Sequence, residues 1–294
     1  PRYERPCSLS KKASCLGAKS DRLKLQPVSR LQQEPAQVSE PVILAIANQK
    51  GGVGKTTTAV NLGAALARKG KKTLIIDSDP QGNASTGLGI AADEREANLY
   101  AVLAGTKDAA DAIRPTSQAD LFILPANQDL AAMEIELVDA DARQFSFRDR
   151  LKDAAQEFDV VLTDCPPALG LLTLNGLAWA DRVLVPLQAE FFALEGLAFL
   201  LRTLGRVKRG SNGSLQLLGV VLTMYDGRNR LAQQVESDVR THLRGRVFQT
   251  KIPRNVRLSE APSHAQPIFD YDERSSGAQA YAALSDEIAT TLGL

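Results

Sequence analysis

The chain has 294 residues, 44% of them hydrophobic, a formal net charge of +1 and three cysteines, Cys7, Cys15 and Cys165. That length allows one large α/β domain or two small ones around a sizeable core. No apolar run reaches the ~20 residues of a membrane helix, no signal-peptide core opens the chain, and three cysteines without a CxxC pair make no disulfide framework, so a cytoplasmic, reducing setting is expected.

Residues 1–40 have no hydrophobic periodicity and are rich in Ser, Gln, Lys and Arg. They hold eight basic and four acidic side chains, a surplus of +4 that leaves −3 for the remaining 254 residues. Such a segment is expected to be a disordered basic tail. It is either a bystander or a source of flexible phosphate contacts.

From Val42 the pattern changes to short Val/Ile/Leu-rich runs: Val42–Ala47, Thr73–Ile76, Leu121–Leu124, Val160–Thr163, Val183–Leu187, Leu217–Thr223 and Val247–Ile252. Runs of that length and composition suit strands buried on both faces. Between and after them lie helical stretches at Thr56–Lys69, Phe192–Lys208, Leu231–Leu243 and Ser276–Leu292. The alternation predicts one α/β domain over 41–294, a doubly wound, mostly parallel sheet with helices on both faces.

The first strand runs into Lys50-Gly51-Gly52-Val53-Gly54-Lys55-Thr56-Thr57 and then a helix. Strand, Gly-rich turn and helix are the setting of a phosphate-binding P-loop. The glycines let backbone N–H groups turn inward on phosphate oxygens, and the helix adds its positive end. Lys55 is expected on the β- and γ-phosphates and the Thr56 hydroxyl on Mg²⁺. The ordinary motif has a glycine where Gln49 stands, and here a second lysine, Lys50, heads the loop. Downstream, Asp77 and Asp79 follow a strand, where a carboxylate can orient a water for in-line attack or hold the metal shell. Asp164 closes the Val160–Thr163 strand in the position of a carboxylate presented to Mg²⁺. Cys165 reads as a small buried side chain.

The loop Lys50–Thr57, taken with Asp77-Ser-Asp-Pro-Gln-Gly-Asn83, resembles the deviant Walker A ATPases, and most of all the ParA-type (Soj-like) chromosome and plasmid partition branch. Four further blocks carry the resemblance: Asp159–Pro167, Leu222–Asp226, Ile252–Ser263 and Tyr271–Tyr281. It covers about 250 residues and leaves the tail outside.

The resemblance implies that Asp79 is the switch residue needed for hydrolysis, supported by Asp77, and that Lys50 reaches across a sandwich dimer to the partner's phosphates. It implies ATP and Mg²⁺ as ligands, with Met224 and Pro253 beside the adenine. It further implies an ATP-bound homodimer that binds double-stranded DNA non-specifically, a ParB-type partner that stimulates hydrolysis, and a nucleoid-associated location. Arg254 and Arg257 lie within a matched block and Arg228 two positions after another, and the three are the candidate DNA contacts; an ordinary solvated basic face is the alternative. A MinD-like membrane-cycling ATPase would need a basic amphipathic C-terminal helix, whereas Ala278–Leu294 holds Asp286 and Glu287 and no Lys or Arg. An ATP-dependent DNA clamp without turnover is disfavoured by Asp79, and a metallochaperone by the missing cysteines.

Overall fold

The structure, a computed structural model, describes residues 40–136 and 143–294. The tail expected over 1–40 lies outside the described residues but for Glu40. Eight strands form one sheet: β1 Val42–Ile46, β2 Thr73–Asp77, β3 Arg114–Pro115, β4 Leu121–Leu124, β5 Val160–Asp164, β6 Arg182–Gln188, β7 Gln216–Tyr225 and β8 Val247–Pro253. Their order is β3-β4-β2-β5-β1-β6-β7-β8. Every pairing is parallel except that of β3 with β4. All seven runs expected from the sequence are strands. β3, two exposed residues with a proline, gave no signal because an edge strand needs no apolar pattern.

Alternation along β1 shows why the central strands read as unbroken apolar runs. Ile43 and Ala45 face one core, Leu44 and Ile46 the other, and all four are buried. The first core is closed by the helices Ser146–Ala155, Leu171–Trp179, Ala193–Gly210 and Arg230–His242. The second is closed by α1 (Lys55–Ala67) and the C-terminal helix Ser276–Leu292.

α1 is buried on nearly every side, its small Ala and Gly residues letting it pack deep. Gly63 permits that depth: a Cβ there would lie 2.9 Å from Ile75 Cδ1. Two polar pins hold it. The hydroxyls of Thr58 and Tyr281 are 3.1 Å apart, and Asn61 Oδ1 accepts the Ile268 N–H at 2.7 Å. Thus the C-terminal helix is a support for α1, which starts at the phosphate loop. Its Glu287 also accepts the N–H groups of Gln249 (2.9 Å) and Thr250 (2.7 Å) on β8.

Parallel register puts the C-terminal ends of β1, β2 and β5 side by side: Ile46 pairs with Asp164, and Asp77 pairs with Asp164. Chain crossings leave β1 toward β2 on one side and pass over it to β6 on the other, so the crevice falls beyond β1.

Candidate nucleotide site

The loop after β1 is shaped by two left-handed glycines, Gly52 (φ 72°) and Gly54 (φ 86°), the latter capping α1. Side chains cannot adopt those angles without strain, which leaves the amides free to face inward. Two residues absent from the sequence expectations fix the loop from below. Asn48 donates to Pro186 O at 2.8 Å and accepts the Lys50 N–H at 3.0 Å. Thr223 donates to Val53 O at 2.8 Å.

The two loop lysines go to different places. Lys55 is buried, and its Nζ donates to Lys50 O at 3.1 Å. Burial pushes its ammonium pKa down, while Asp164, Cys165 and Asp79 pull it up. Lys50 instead forms an ion pair with Glu190, just beyond β6, and its side chain stays 41% exposed. Glu190 lies 140 positions from Lys50; no local pattern marks it.

The three carboxylates also separate. Asp77 is fully buried; Oδ2 accepts the Ser85 N–H (2.9 Å) and hydroxyl (2.7 Å), and Oδ1 the Asp79 N–H (3.3 Å). Burial pushes its pKa up to about 6 against the pull of those bonds. It therefore anchors the turn and helix Asn83–Gly87 and does not line the cavity. Asp79 does line it, with Oδ1 accepting the Gln81 N–H at 3.0 Å. Asp164 is buried with neither oxygen hydrogen-bonded. Burial, reinforced by Asp77, holds its pKa well above the usual carboxylate range. The Thr56 hydroxyl pulls the other way without completing a bond of ordinary geometry, and so does Lys55.

A buried polar group without a partner costs about 1–3 kcal/mol and a charged one more, a cost that a proton, favoured by the raised pKa, or a bound cation would relieve. Among the described residues no group of three His, Cys, Asp or Glu side chains is arranged to hold a metal. One carboxylate and one hydroxyl suit a hard cation that keeps waters and takes its other ligands from phosphate, as Mg²⁺ does. Cys165 is buried and unpaired, with its thiol pushed up to about 12 by burial, as an inert packing residue should be.

A cavity of about 520 Å³ is lined by Gly51, Gly52, Gly54, Lys55, Thr56, Thr57, Asp79 and Met224, among others. A second, of about 320 Å³, shares Gly54, Thr57 and Met224 with it and adds Ile252, Pro253 and Arg254. Together they form a cleft with the glycine loop at one end and a wall of mixed polar and apolar residues at the other. Met224 sits where they meet, held at φ 48°, an uncommon angle for a non-glycine residue. Both residues expected beside the base, Met224 and Pro253, are therefore on the wall, whereas Val53 and Lys50 are outside it.

The three arginines expected on DNA are exposed. Arg228 chelates Asp226 (3.0 and 2.9 Å), pulling that carboxyl down to about 2. Arg257 pairs with Glu260 (2.9 Å) and Asp272 (3.5 Å). Arg254 lines the second cavity.

A mostly parallel sheet and a glycine loop capping a buried helix at the end of its first strand define a P-loop nucleotide-binding protein. A family model described as an AAA domain matches residues 42–217. The chain is 52% identical over 248 residues to the chromosome partitioning protein ParA of Caulobacter vibrioides, covering 84% of this chain and 93% of that one. It is 50% identical over 250 residues to the chromosome-partitioning ATPase Soj of Treponema pallidum, covering 85% and 98%. The chain belongs to the ParA/Soj family of chromosome-partitioning ATPases. Among solved structures, cobyrinic acid a,c-diamide synthase of Mycobacterium smegmatis with bound ADP and magnesium superposes with TM-score 0.76 at 37% identity, covering 86% of this chain and 96% of that one. The cell division ATPase MinD of Pyrococcus furiosus follows with TM-score 0.71 at 28% identity, covering 86% and 99%.

Proposed function

We propose that the chain is a nucleoid-associated DNA-partition ATPase that cycles between two states. ATP with Mg²⁺ closes two copies face to face, the closed dimer holds duplex DNA through its phosphates, and hydrolysis opens it. A ParB-type centromere-binding partner speeds that last step.

The observation that carries this reading is the division of labour between the lysines. Lys55 is committed to its own cradle. Lys50, the side chain that makes the loop deviant, stands outside that cradle, half exposed and ion-paired to Glu190. A cation with no role toward its own phosphates is available to a partner's, where it would stabilise charge developing on the transferred phosphoryl group. Thr56 and Asp164 would hold Mg²⁺, which when bound neutralises phosphate charge. Asp79, on the cavity wall, would orient the attacking water.

The membrane-cycling alternative finds little support. The C-terminal helix puts Tyr281, Leu284 and Ile288 into the core, so its apolar face is occupied. No helix of the described residues is long and apolar enough to cross a membrane. The test is Lys50→Ala. The variant should bind ATP yet remain monomeric in light scattering and release no phosphate. Wild-type dimerisation and turnover would remove Lys50 from the mechanism.

A further inference from the structure

Among the described residues five charged side chains are buried: Lys55, Asp77, Asp79, Asp164 and Arg95. The first four belong to the phosphate loop and the strand ends beside it. Arg95 is 6% exposed and lines neither cavity of the cleft. All four of its hydrogen bonds go to neutral oxygens. Nε and Nη2 donate to Ile90 O (3.1 and 2.6 Å), Nη2 also to Thr86 Oγ1 (2.7 Å), and Nη1 to Ala126 O (3.2 Å). Burial pushes its pKa down, and Asp77, too far for an ion pair, pulls it up. A guanidinium taken out of water without a carboxylate partner is costly, and an apolar side chain would fill the same space without that cost. What arginine supplies and methionine cannot is a rigid planar fork of donors.

The place of the fork shows what it holds. Gly82, at φ 63°, begins the helix Asn83–Gly87, and a Cβ on it would run into Arg95 Nη1 and come within 3.0 Å of Ala126 O. Thr86, on the same helix, accepts Nη2 on a hydroxyl that itself donates to Gly82 O at 3.1 Å. The Gly82 N–H donates back to Asp79 O at 2.9 Å, and the Gln81 N–H to Asp79 Oδ1 at 3.0 Å. Asp77 holds the other side of this turn through the Asp79 N–H and through Ser85, whose hydroxyl accepts the Ala126 N–H at 3.1 Å. The turn that carries Asp79 is thus fixed between a buried carboxylate and a buried guanidinium. Ala126 joins the two, with its N–H on one side and its C=O on the other.

We infer that Arg95 is a positioning residue for ATP hydrolysis: its fork fixes Gly82 and Thr86 and through them sets where the Asp79 carboxylate stands on the cavity wall. The inference rests on the reading of Asp79 as the group that orients the attacking water. Orientation of a nucleophile tolerates little displacement, so loss of the brace is felt in turnover. The phosphate cradle of Gly52, Gly54 and Lys55 belongs to β1 and α1, so ATP affinity is kept.

The experiment is single-turnover hydrolysis beside calorimetric ATP binding, with Mg²⁺ and full-length protein. It compares wild type, Arg95→Met, Arg95→Lys, Asp79→Ala and Arg95→Met/Asp79→Ala. Arg95→Met should hydrolyse at least tenfold more slowly, with ATP affinity within threefold of wild type and full binding stoichiometry. Arg95→Lys keeps the charge but loses the fork, and should stay at least threefold slow. The double variant should be no slower than Asp79→Ala, since a residue that acts through Asp79 has nothing left to position. A wild-type rate in Arg95→Met overturns the inference. So does a fall in affinity or stoichiometry that matches the fall in rate, which would make Arg95 a support of the fold, and so does a double variant slower than Asp79→Ala. Near-normal hydrolysis by Asp79→Ala itself would instead remove the reading on which the inference rests. If Arg95→Met yields no folded protein, Arg95→Lys decides: a slow rate at wild-type affinity supports the inference and a wild-type rate overturns it.

Discussion

Asp164→Asn is expected to make the nucleotide-free protein more stable while disabling it. In the wild type both carboxylate oxygens are buried and lack hydrogen-bond partners, and the neighbouring Asp77 adds like charge. Replacing the charge with a neutral amide of nearly the same shape removes a desolvation cost of about 1–3 kcal/mol. Near 2 kcal/mol, and at ~2–4 °C per kcal/mol for a domain of this size, the melting temperature should rise by about 4–8 °C. The effect has a definite pH dependence. The native Asp164 carboxyl keeps its proton to higher pH than the unfolded one, whose value is near 3.8. Between the two values the native state binds more protons, so wild-type stability falls as pH rises through that window. The gap between variant and wild type should open with rising pH and close below ~4. Thermal melts in chelator-containing buffer from pH 5 to 8.5 read this directly. With ATP and Mg²⁺ added, the order should reverse in part, because the wild type gains binding energy that the variant cannot. A variant that melts at or below wild type at pH 8 without nucleotide would refute the reasoning.

Lys55→Ala should abolish ATP binding measured by calorimetry, since it removes the buried cation at the loop; unchanged affinity would reassign that lysine to a structural part. Asp79→Ala should retain ATP affinity, lose phosphate release by at least 10²-fold, and accumulate as a dimer in light scattering; near-normal turnover would take Asp79 off the list. Tyr281→Phe should cost about 1 kcal/mol in urea denaturation by leaving the buried Thr58 hydroxyl without its 3.1 Å partner. An unchanged midpoint would show that the hydroxyl finds a backbone carbonyl instead.

The strands and the phosphate loop could be read from the chain alone because their physics is local. Seven buried strands must be apolar runs, and a loop that turns its amides inward must carry glycine at positions such as Gly52 and Gly54. The last helix was legible for the same reason: Ser275 caps it and Gly293 ends it, so its bounds, Ser276–Leu292, fall where the sequence places them. What each charged residue does was a different matter. Asp77 and Asp79 are two positions apart and look alike in sequence, yet one turns into the fold to hold Ser85 and the other lines the cavity. Lys50 and Lys55 differ by five positions, and their division of labour depends on Glu190, 140 residues on. Arg228, Arg254 and Arg257 look alike as candidate DNA contacts, yet Arg228 is paired with Asp226 and Arg257 with Glu260 and Asp272, while Arg254 has no carboxylate partner among the described residues. The physical reason is range. Hydrophobic periodicity and backbone angles are decided within a few residues, whereas the fate of a charge is decided by whichever opposite charge the tertiary fold brings within about 4 Å.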